Sequence, residues 1–276
     1  MEGNVINKNK LLIGIIVALF IGIGCLAIIK PKNSANIDNA AAKKHYEQTI
    51  STMRRDQKLA EEKDVNSDKW KLDKSLFKQN RGSITYSPMG DSLTAGFFAS
   101  KDSTRFVSVL SRYINEGLGY DVKIEGVSGY GGLSENGLNA AEQVVEQSPD
   151  LVSIEYGTND ADPRRKISVE SFEDNLESIV NKLNSGYKKP KIFLITTWKT
   201  DKTGEYNKAI KKIGDKYKLP VVDITKLSQD AENSGPAGKD TFKGKSDDFH
   251  PNDKGMERIA RKIYSETYKY ISESDD

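Results

Sequence analysis

The sequence contains one cysteine, Cys25, and this scarcity excludes an intrachain disulfide and any metal site ligated by several cysteines. It also lacks a strong excess of charge, because the net charge over its 276 residues is +2. Lysine and arginine are scattered rather than clustered, so no nucleic-acid partner is predicted. The whole chain has 36% hydrophobic and 30% charged residues, and once the N-terminus is set aside this balance is typical of a soluble globular protein.

One long hydrophobic run, Leu11–Ile29, contains no charged residue and no proline. As a helix it would span roughly 28 Å, close to the bilayer core of about 30 Å. Cleaved signal peptides usually have a shorter apolar region of about 7–15 residues, so an uncleaved transmembrane anchor over residues 1–32 is the preferred interpretation. A cleaved signal peptide and a lipoprotein lipidated on Cys25 are the alternatives.

The lysines that flank this run bear on its orientation. Lys8 and Lys10 precede it, and a larger group follows it, consisting of Lys30, Lys32, Lys43 and Lys44. Counted literally, these charges favour a cytoplasmic C-terminal part. A short lysine-bearing tail followed by one apolar run is, however, the usual layout for export. We therefore expect a single-pass protein of the cell membrane whose C-terminal domain lies outside the cytoplasm.

The rest of the chain divides by composition into a stalk and one domain. Residues 33–80 are polar and lack glycine, which indicates a partly helical stalk. Over residues 81–276, apolar runs alternate with helical patterns, and this alternation predicts an α/β domain with three α/β/α layers around a central, mostly parallel five-stranded sheet. The runs that predict strands are Ile84–Met89, Val122–Gly126, Leu151–Tyr156, Ile192–Thr197 and Val221–Ile224.

Two helices are predicted from apolar residues at helical spacing. The first extends over Phe172–Leu183, with Ser168 as a candidate N-cap and Gly186 as a candidate C-cap. The second begins near Met256, with Asn252 as its candidate N-cap.

Polar, glycine-rich segments follow three of the predicted strands, at the edge of the sheet where sites form. In Gly90–Gly96, Ser92 is predicted to stand at a helix N-terminus, which favours developing negative charge. In Gly126–Gly132, the glycines allow backbone N–H groups to approach a ligand closely. In Gly157–Asp160, the Asn159 amide is a candidate hydrogen-bond donor.

A fourth segment, Asp247–Pro251, contains His250, the only histidine of the predicted domain. His250 is therefore the only imidazole available there as a general base. Asp247 precedes it by three residues and can reach its ring, as the third member of a Ser-His-Asp triad does. Each of the four segments, taken alone, also has an ordinary interpretation as a turn or loop.

Together and in this order, the four segments resemble the SGNH family of GDSL-type esterases and lipases, over about Ser83–Ile271. The first block matches as Gly90-Asp91-Ser92-Leu93, the third as Gly157-Thr158-Asn159-Asp160, and the last as Asp247 to His250 followed by Pro251. The second block is the loosest, because Glu125-Gly126 stand where the family has an asparagine shortly before its Ser-Gly pair. An α/β-hydrolase elbow does not fit, since it requires glycine where Thr94 stands.

The resemblance implies a flavodoxin-like SGNH fold and a role for each matching residue. Ser92 would be the nucleophile, His250 the general base and acid, and Asp247 the residue that orients His250. The backbone N–H groups of Ser92 and Gly129 and the side-chain amide of Asn159 would form the oxyanion hole.

The resemblance leaves some positions less fixed. Gly126 and Gly131 are alternatives to Gly129, and Asp247 is preferred to Asp248 by the family's spacing alone. Asp91 and Asp160, the acids beside the matching serine and asparagine, are expected to shape turns.

Three functions are compatible with these residues. The preferred one is hydrolysis of an acyl ester through a covalent acyl-enzyme. Acyl transfer to a hydroxyl of a cell-wall polymer would use the same residues, and a non-catalytic glycan-binding module is the third. The expected substrate is a small or polymer-bound acyl ester, either a lipid or an O-acylated carbohydrate. No metal or organic cofactor is implied, and the sequence does not predict an oligomeric state.

Overall fold

The computed structural model of the chain describes residues 39–198 and 202–273. The predicted anchor, residues 1–32, lies outside the described residues. Within the described part, no helix is both long enough and apolar enough to span a bilayer. The chain divides into two units, Met1–Lys58 and Leu59–Asp276, and each is described by itself.

The first helix, α1, extends over Asn39–Lys63 and therefore falls in the predicted stalk. From Glu47 to Lys58 its side chains are almost all exposed, as its polar sequence leads one to expect. The second unit begins inside this helix. Beyond the end of α1, Val65, Trp70 and Leu76 also lie in the predicted stalk, but they pack against the hydrophobic core. This part of the segment packs on the domain because it carries apolar side chains that burial stabilises.

The strands of the central sheet are β1 (Ser83–Gly90), β2 (Asp121–Ile124), β3 (Val127–Ser128), β4 (Leu151–Glu155), β5 (Lys191–Ile195) and β6 (Val221–Val222). Their order in the sheet is β2-β1-β4-β5-β6, and β3 pairs with the end of β1. Every strand pair in the sheet is parallel. The prediction of a parallel five-stranded sheet is thus confirmed, with β3 as a short addition.

Helices cover both faces of the sheet, which confirms the three-layer architecture. One hydrophobic cluster packs α2 (Phe106–Leu118) and α7 (Asp253–Ser272) against the sheet. The other cluster packs α3 (Ser134–Glu146), α4 (Val169–Asn184) and α5 (Gly204–Tyr217) against the opposite face. Strand β4 is buried along its whole length, although it contains Ser153 and Glu155, as expected of a parallel strand covered on both faces.

Both predicted N-caps are confirmed. The Ser168 hydroxyl accepts a hydrogen bond from the Ser171 amide at 3.0 Å, and the Asn252 side chain accepts one from the Gly255 amide at 3.0 Å. Gly186 is not the C-cap of α4, because Ser185 occupies that position in a right-handed conformation.

The remaining elements lie between β6 and α7. A short helix, α6 (Thr225–Ser228), is followed by an antiparallel hairpin of β7 (Asp240–Thr241) and β8 (Gly244–Lys245). The hairpin belongs to the long loop that leads from the sheet to His250.

Candidate active site

Ser92 lies two residues beyond the end of β1 and is buried, with 4% of its surface exposed. The sequence predicted a helix N-terminus here, but the structure has consecutive turns, and the next α-helix begins only at Phe106. The turn is tight, since a Cβ atom added to Gly90 would lie 2.8 Å from the Glu155 carbonyl oxygen and overlap the Thr94 side chain. Glycine at position 90 therefore permits the close packing that supports Ser92.

His250 lies against Ser92 in the structure, although the two residues are at opposite ends of the domain's sequence. Its Nε2 atom lies 2.9 Å from the Ser92 Oγ atom, and its Nδ1 atom lies 2.8 Å from the Asp247 Oδ2 atom. The ring is buried, with 7% of the residue exposed. These three side chains form one continuous chain of hydrogen bonds, which is the arrangement needed to take a proton from a serine hydroxyl.

Asp247 is held by the same loop that carries His250. Its Oδ1 atom accepts hydrogen bonds from the backbone amides of Phe249 at 2.9 Å and His250 at 2.8 Å. Partial burial acts to raise the pKa of Asp247, but the hydrogen bonds from His250 outweigh it and hold the pKa below its usual value. Asp248 points elsewhere, because its Oδ1 atom accepts from the Ala237 amide at 2.9 Å.

Asn159 lies in a turn after β4 and is hydrogen-bonded to the loop after β1 that carries Ser92, called here the serine loop. Its Nδ2 atom donates to the Asp91 Oδ2 atom at 2.8 Å and to the Gly132 carbonyl at 3.1 Å. Both amide hydrogens thus have acceptors within the protein. To serve an oxyanion, the amide would have to share or exchange one of these bonds.

The three candidate oxyanion glycines differ in their surroundings. The Gly129 amide donates to the Gly90 carbonyl at 3.3 Å, a long bond that continues the pairing of β3 with β1. The Gly126 amide donates to the Gln147 side chain at 2.9 Å, just beyond the end of α3 and away from Ser92. Gly131 has a positive φ of 66° beside the exposed Tyr130. Gly129 is therefore tied directly to the strand that leads to Ser92.

Two buried acids lie close to Ser92: Asp91, which precedes it in the chain, and Glu155, at the end of the neighbouring strand β4. Burial raises the pKa of Asp91 to about 7, although hydrogen bonds, among them that from the Leu93 amide, oppose the shift. Burial, followed by the charge of Asp91, raises the pKa of Glu155 well above its usual range. One oxygen of Glu155 accepts from the Thr94 hydroxyl at 2.9 Å, while the other is buried with no hydrogen-bond partner among the described residues.

A role for Glu155 was not predicted from the sequence. The available signal was a charged residue at the end of a mostly apolar strand, two positions before the Gly157–Asp160 segment. Asp160 was expected to shape a turn. It accepts hydrogen bonds from the Ser134 hydroxyl at 2.6 Å and from the Gly157 amide at 3.2 Å, in keeping with that role. Burial raises the pKa of Asp160 as well.

Aromatic rings surround the His250 imidazole. Phe98 and Phe249 contact it edge to face, with ring centroids 4.9 and 5.2 Å away, and Tyr130 stacks at 6.4 Å. Tyr130 is 72% exposed, so its ring forms part of the rim. Trp198 is fully buried, and its indole nitrogen donates to the Phe249 carbonyl at 2.8 Å.

A cleft of about 420 Å³ opens beside His250 and Asp247. Phe98 forms part of one wall, and residues of the β7–β8 hairpin form another. Most of its lining residues are charged or hydroxylated, but the surface that they expose to the cleft is largely apolar. The cleft therefore offers a ligand both polar groups and apolar surface.

Comparisons with known proteins agree with this architecture. Residues 89–258 match the model of the GDSL-like Lipase/Acylhydrolase family. Among solved structures, the lipase/acylhydrolase from Enterococcus faecalis is 27% identical, with a TM-score of 0.54, and the match covers 68% of this chain and 96% of that one. No curated protein matches the chain.

Two further structures resemble the chain at lower identity and support the fold. One is a two-domain esterase active on acetylated mannans, 23% identical with a TM-score of 0.55; the match covers 70% of this chain but only 50% of that one. The chain thus spans about half the length of that esterase. The other is an acetyl xylan esterase, 20% identical with a TM-score of 0.53, with 66% and 98% covered.

Proposed function

The chain belongs to the GDSL-like lipase/acylhydrolase family of carboxylic ester hydrolases, and on this premise we propose that it cleaves acyl esters through a Ser92-His250-Asp247 triad. The observation that carries the proposal is the pair of hydrogen bonds on the His250 ring, 2.9 Å to Ser92 and 2.8 Å to Asp247. This geometry supports a general-base role for His250, with Asp247 holding the ring and stabilising its charged form.

In the first half of the proposed reaction, the Ser92 Oγ atom attacks the ester carbonyl carbon while His250 Nε2 accepts its proton. The carbonyl oxygen becomes an oxyanion, for which we propose the amides of Ser92 and Gly129 and the side chain of Asn159 as donors. When the intermediate collapses, the ester C–O bond breaks and His250 returns the proton to the departing alcohol. The acyl group remains on Ser92.

In the second half, a water molecule attacks the acyl-enzyme and gives its proton to His250. The bond between the acyl carbon and Ser92 Oγ then breaks, and His250 returns the proton to Ser92. Replacing Ser92 with alanine removes the nucleophile and should abolish hydrolysis of p-nitrophenyl acetate by the purified protein. A fluorophosphonate probe should label wild type and not Ser92→Ala. Unchanged hydrolysis in Ser92→Ala would refute the mechanism, and labelling that persists would refute Ser92 as the nucleophile.

Acyl transfer is the second candidate, and the cleft beside His250 and Asp247 is the observation that favours it. An alcohol bound there would be placed to give its proton to His250 and attack the acyl-enzyme in place of water. Product analysis with and without an added acceptor alcohol distinguishes the two. A transferase forms a new ester in proportion to acceptor, whereas a hydrolase releases only the free acid. A glycan-binding module without activity would give neither product.

For the substrate, we propose a lipid or an O-acylated carbohydrate. The charged and hydroxyl groups of the cleft, together with the exposed Tyr130 ring, support the carbohydrate as the first to test. The similarity to esterases of acetylated mannan and xylan also supports a carbohydrate substrate. Two assays separate these substrate classes. Release of acetate from acetylated polysaccharides would indicate a carbohydrate substrate, and release of fatty acid from lysophospholipids would indicate a lipid.

We also propose that the Leu11–Ile29 run holds the domain at the outer face of the cell membrane. The length and apolar character of the run support this. Deleting residues 1–32 should move the protein from the membrane fraction to the soluble fraction, and protease added to intact cells should degrade the domain of the full chain. Retention of the deleted form on membranes, or protection from protease, would contradict the proposal.

A further inference from the structure

Glu155, at the end of β4, is a buried acid that the proposed reaction steps do not use. Only 1% of the residue is exposed. The parallel pairing of β4 with β1 aligns it with Gly90, the residue at which the serine loop begins. A glutamate is almost never buried so completely unless it has partners that hold it there. Its contacts therefore show what it does in the site.

The Glu155 carboxyl group holds the serine loop on both sides of the nucleophile. Its Oε2 atom accepts a hydrogen bond from the Thr94 hydroxyl at 2.9 Å and a longer one from the Asp91 amide at 3.4 Å. Asp91 directly precedes Ser92 in the chain, and Thr94 follows it by two positions. One side chain from the neighbouring strand thus fixes the backbone before Ser92 and the side chain just after it.

The groups around Glu155 bear on its charge. The Asp91 carboxyl group is fully buried and is in hydrogen-bonding contact with that of Glu155. Asp160 and Tyr156, which interact electrostatically with this pair, are acids as well, and His250 is engaged by the other two members of the triad. Among the residues that the structure describes, neither carboxyl group forms an ion pair with a basic side chain. Two adjacent buried carboxylates without a cation repel each other, so the pair retains a proton.

The hydrogen bonds of the two acids indicate that this proton belongs to Glu155. Each oxygen of Asp91 accepts a bond of 2.8 Å, one from the Leu93 amide and one from the Asn159 side chain, and these bonds favour its charged form. One oxygen of Glu155 is buried with no hydrogen-bond partner among the described residues. An oxygen without a partner costs less free energy in a neutral acid than in a carboxylate. Burial also raises the pKa of Glu155 well above its usual range.

We infer that Glu155 is a positioning residue, a neutral carboxylic acid that holds the serine loop so that the Ser92 Oγ atom stays 2.9 Å from His250 Nε2. The inference rests on the proposed esterase mechanism. Glu155 acts through Thr94 and Asp91 and needs no contact with the substrate. Its neutral form also keeps a second negative charge away from the oxyanion that develops next to Ser92.

The test compares three variants with wild type in the purified full chain. Glu155→Gln has a neutral side chain of the same length, which can accept from Thr94 and donate to Asp91. Glu155→Met keeps an unbranched side chain of similar size and removes both hydrogen-bonding functions. Ser153→Ala is the control, because Ser153 is also a fully buried polar residue of β4, but its hydroxyl bonds to Tyr86 at 2.8 Å rather than to the serine loop.

The readouts are kcat and KM for p-nitrophenyl acetate, with active sites counted by the fluorophosphonate label, and the melting temperature. We expect Glu155→Gln to keep kcat within about threefold. Glu155→Met should lower kcat about 10²-fold with little change in KM, because small displacements of a reacting group have effects of this size. Ser153→Ala should lower the melting temperature but keep kcat within about twofold, since it loses a buried hydrogen bond elsewhere.

Infrared spectroscopy tests the charge of Glu155 directly. A protonated carboxylic acid has a C=O stretching band that a carboxylate lacks. The difference spectrum between wild type and Glu155→Gln at pH 7 should contain this band, whereas the bands of acids common to both proteins, such as Asp160, cancel. A difference spectrum without the band would overturn the neutral state.

The kinetic results can also contradict the inference. A loss of kcat in Glu155→Gln as large as that in Glu155→Met would mean that a carboxylate is required. Full kcat per site in Glu155→Met, or an equal loss in Ser153→Ala, would mean that Glu155 is needed only for stability.

A further variant keeps the test decisive if Glu155→Met does not fold. Thr94→Val removes only the hydroxyl that bonds to Glu155 and should lower kcat about fivefold, the scale of one hydrogen bond. An unchanged kcat in Thr94→Val would overturn the positioning role. None of these outcomes touches the proposed esterase function, which fails only if hydrolysis does not depend on Ser92.

Discussion

The Asn159 side-chain amide donates a hydrogen bond of 2.8 Å to the Oδ2 atom of Asp91, the residue that precedes the proposed nucleophile. The second oxygen of Asp91 accepts from the Leu93 amide at 2.8 Å. Asp91 therefore links the loop after β1 to the loop after β4, and it orients the amide proposed as an oxyanion donor.

Replacing Asp91 with asparagine should disturb this orientation. If the new side chain keeps the bond from Leu93 with its oxygen, its NH2 group faces the NH2 group of Asn159, and two donors cannot bond to each other. We expect kcat for p-nitrophenyl acetate to fall about 10²-fold, the scale of one lost oxyanion donor, with little change in KM. Steady-state kinetics on the purified variant checks this.

The double variant with Asn159→Ala tests the cause. If Asp91 acts through Asn159, Asp91→Asn should cost little further activity once the amide is gone. Losses that multiply in the double variant would mean that Asp91 acts independently of Asn159.

The buried acids also predict how stability depends on pH. The pKa of Asp91 is raised from 3.8 to about 7 in the folded protein, so the folded state binds more protons than the unfolded state between these values. Stability is therefore greatest at the acidic end of this window and falls as pH rises towards 7. We expect the melting temperature at pH 5 to exceed that at pH 8.

Glu155→Gln provides the matched variant for this prediction, because it removes one of the two titrating groups and preserves side-chain volume. Thermal unfolding of the variant should change less between pH 5 and pH 8 than that of wild type. Two results would show that other groups control the pH dependence. One is a wild-type melting temperature that rises between pH 5 and pH 8, and the other is a melting temperature that changes equally with pH in wild type and in the variant.

Asp247 and Asp248 form a neighbouring pair in which one aspartate bonds to the His250 ring and the other to the Ala237 amide. Replacing Asp247 with asparagine should favour the wrong imidazole tautomer and lower kcat by about 10³–10⁴-fold, as loss of the orienting aspartate does in triads. Asp248→Asn should retain kcat within about threefold. Equal losses in the two variants would indicate that the loop as a whole, rather than Asp247, is required.

The sequence predicted the sheet and both helix N-caps, because each depends on local periodicity or on a short motif. Short motifs also singled out Ser92, Asp247 and His250, whose side chains lie within hydrogen-bond distance of one another in the structure. The sequence did not predict the turn that replaces a helix after Ser92, nor the packing of Val65 and Trp70 on the core. These depend on contacts between distant segments, which periodicity does not report. The Glu155–Asp91 pair was missed for the same reason, since parallel pairing aligns Gly90 with Glu155, residues 65 positions apart.

Gly90 and Gly129 permit a final prediction about the serine loop, because the two glycines differ in the space around them. A Cβ atom at Gly90 would lie 2.7 Å from the Thr94 Cβ atom and 2.8 Å from a backbone oxygen, whereas a Cβ atom at Gly129 would meet nothing within 4 Å. Gly90→Ala should therefore displace Ser92 and reduce kcat by at least about 10²-fold, since small displacements of reacting groups have effects of this size.

Gly129→Ala keeps the backbone N–H group proposed for the oxyanion hole and should leave kcat within about twofold. Gly129→Pro removes that N–H group, and its loss should lower kcat about 10²-fold with a retained near-UV circular dichroism spectrum. If Gly129→Pro keeps the folded spectrum and full activity, the N–H group of Gly129 is not an oxyanion donor.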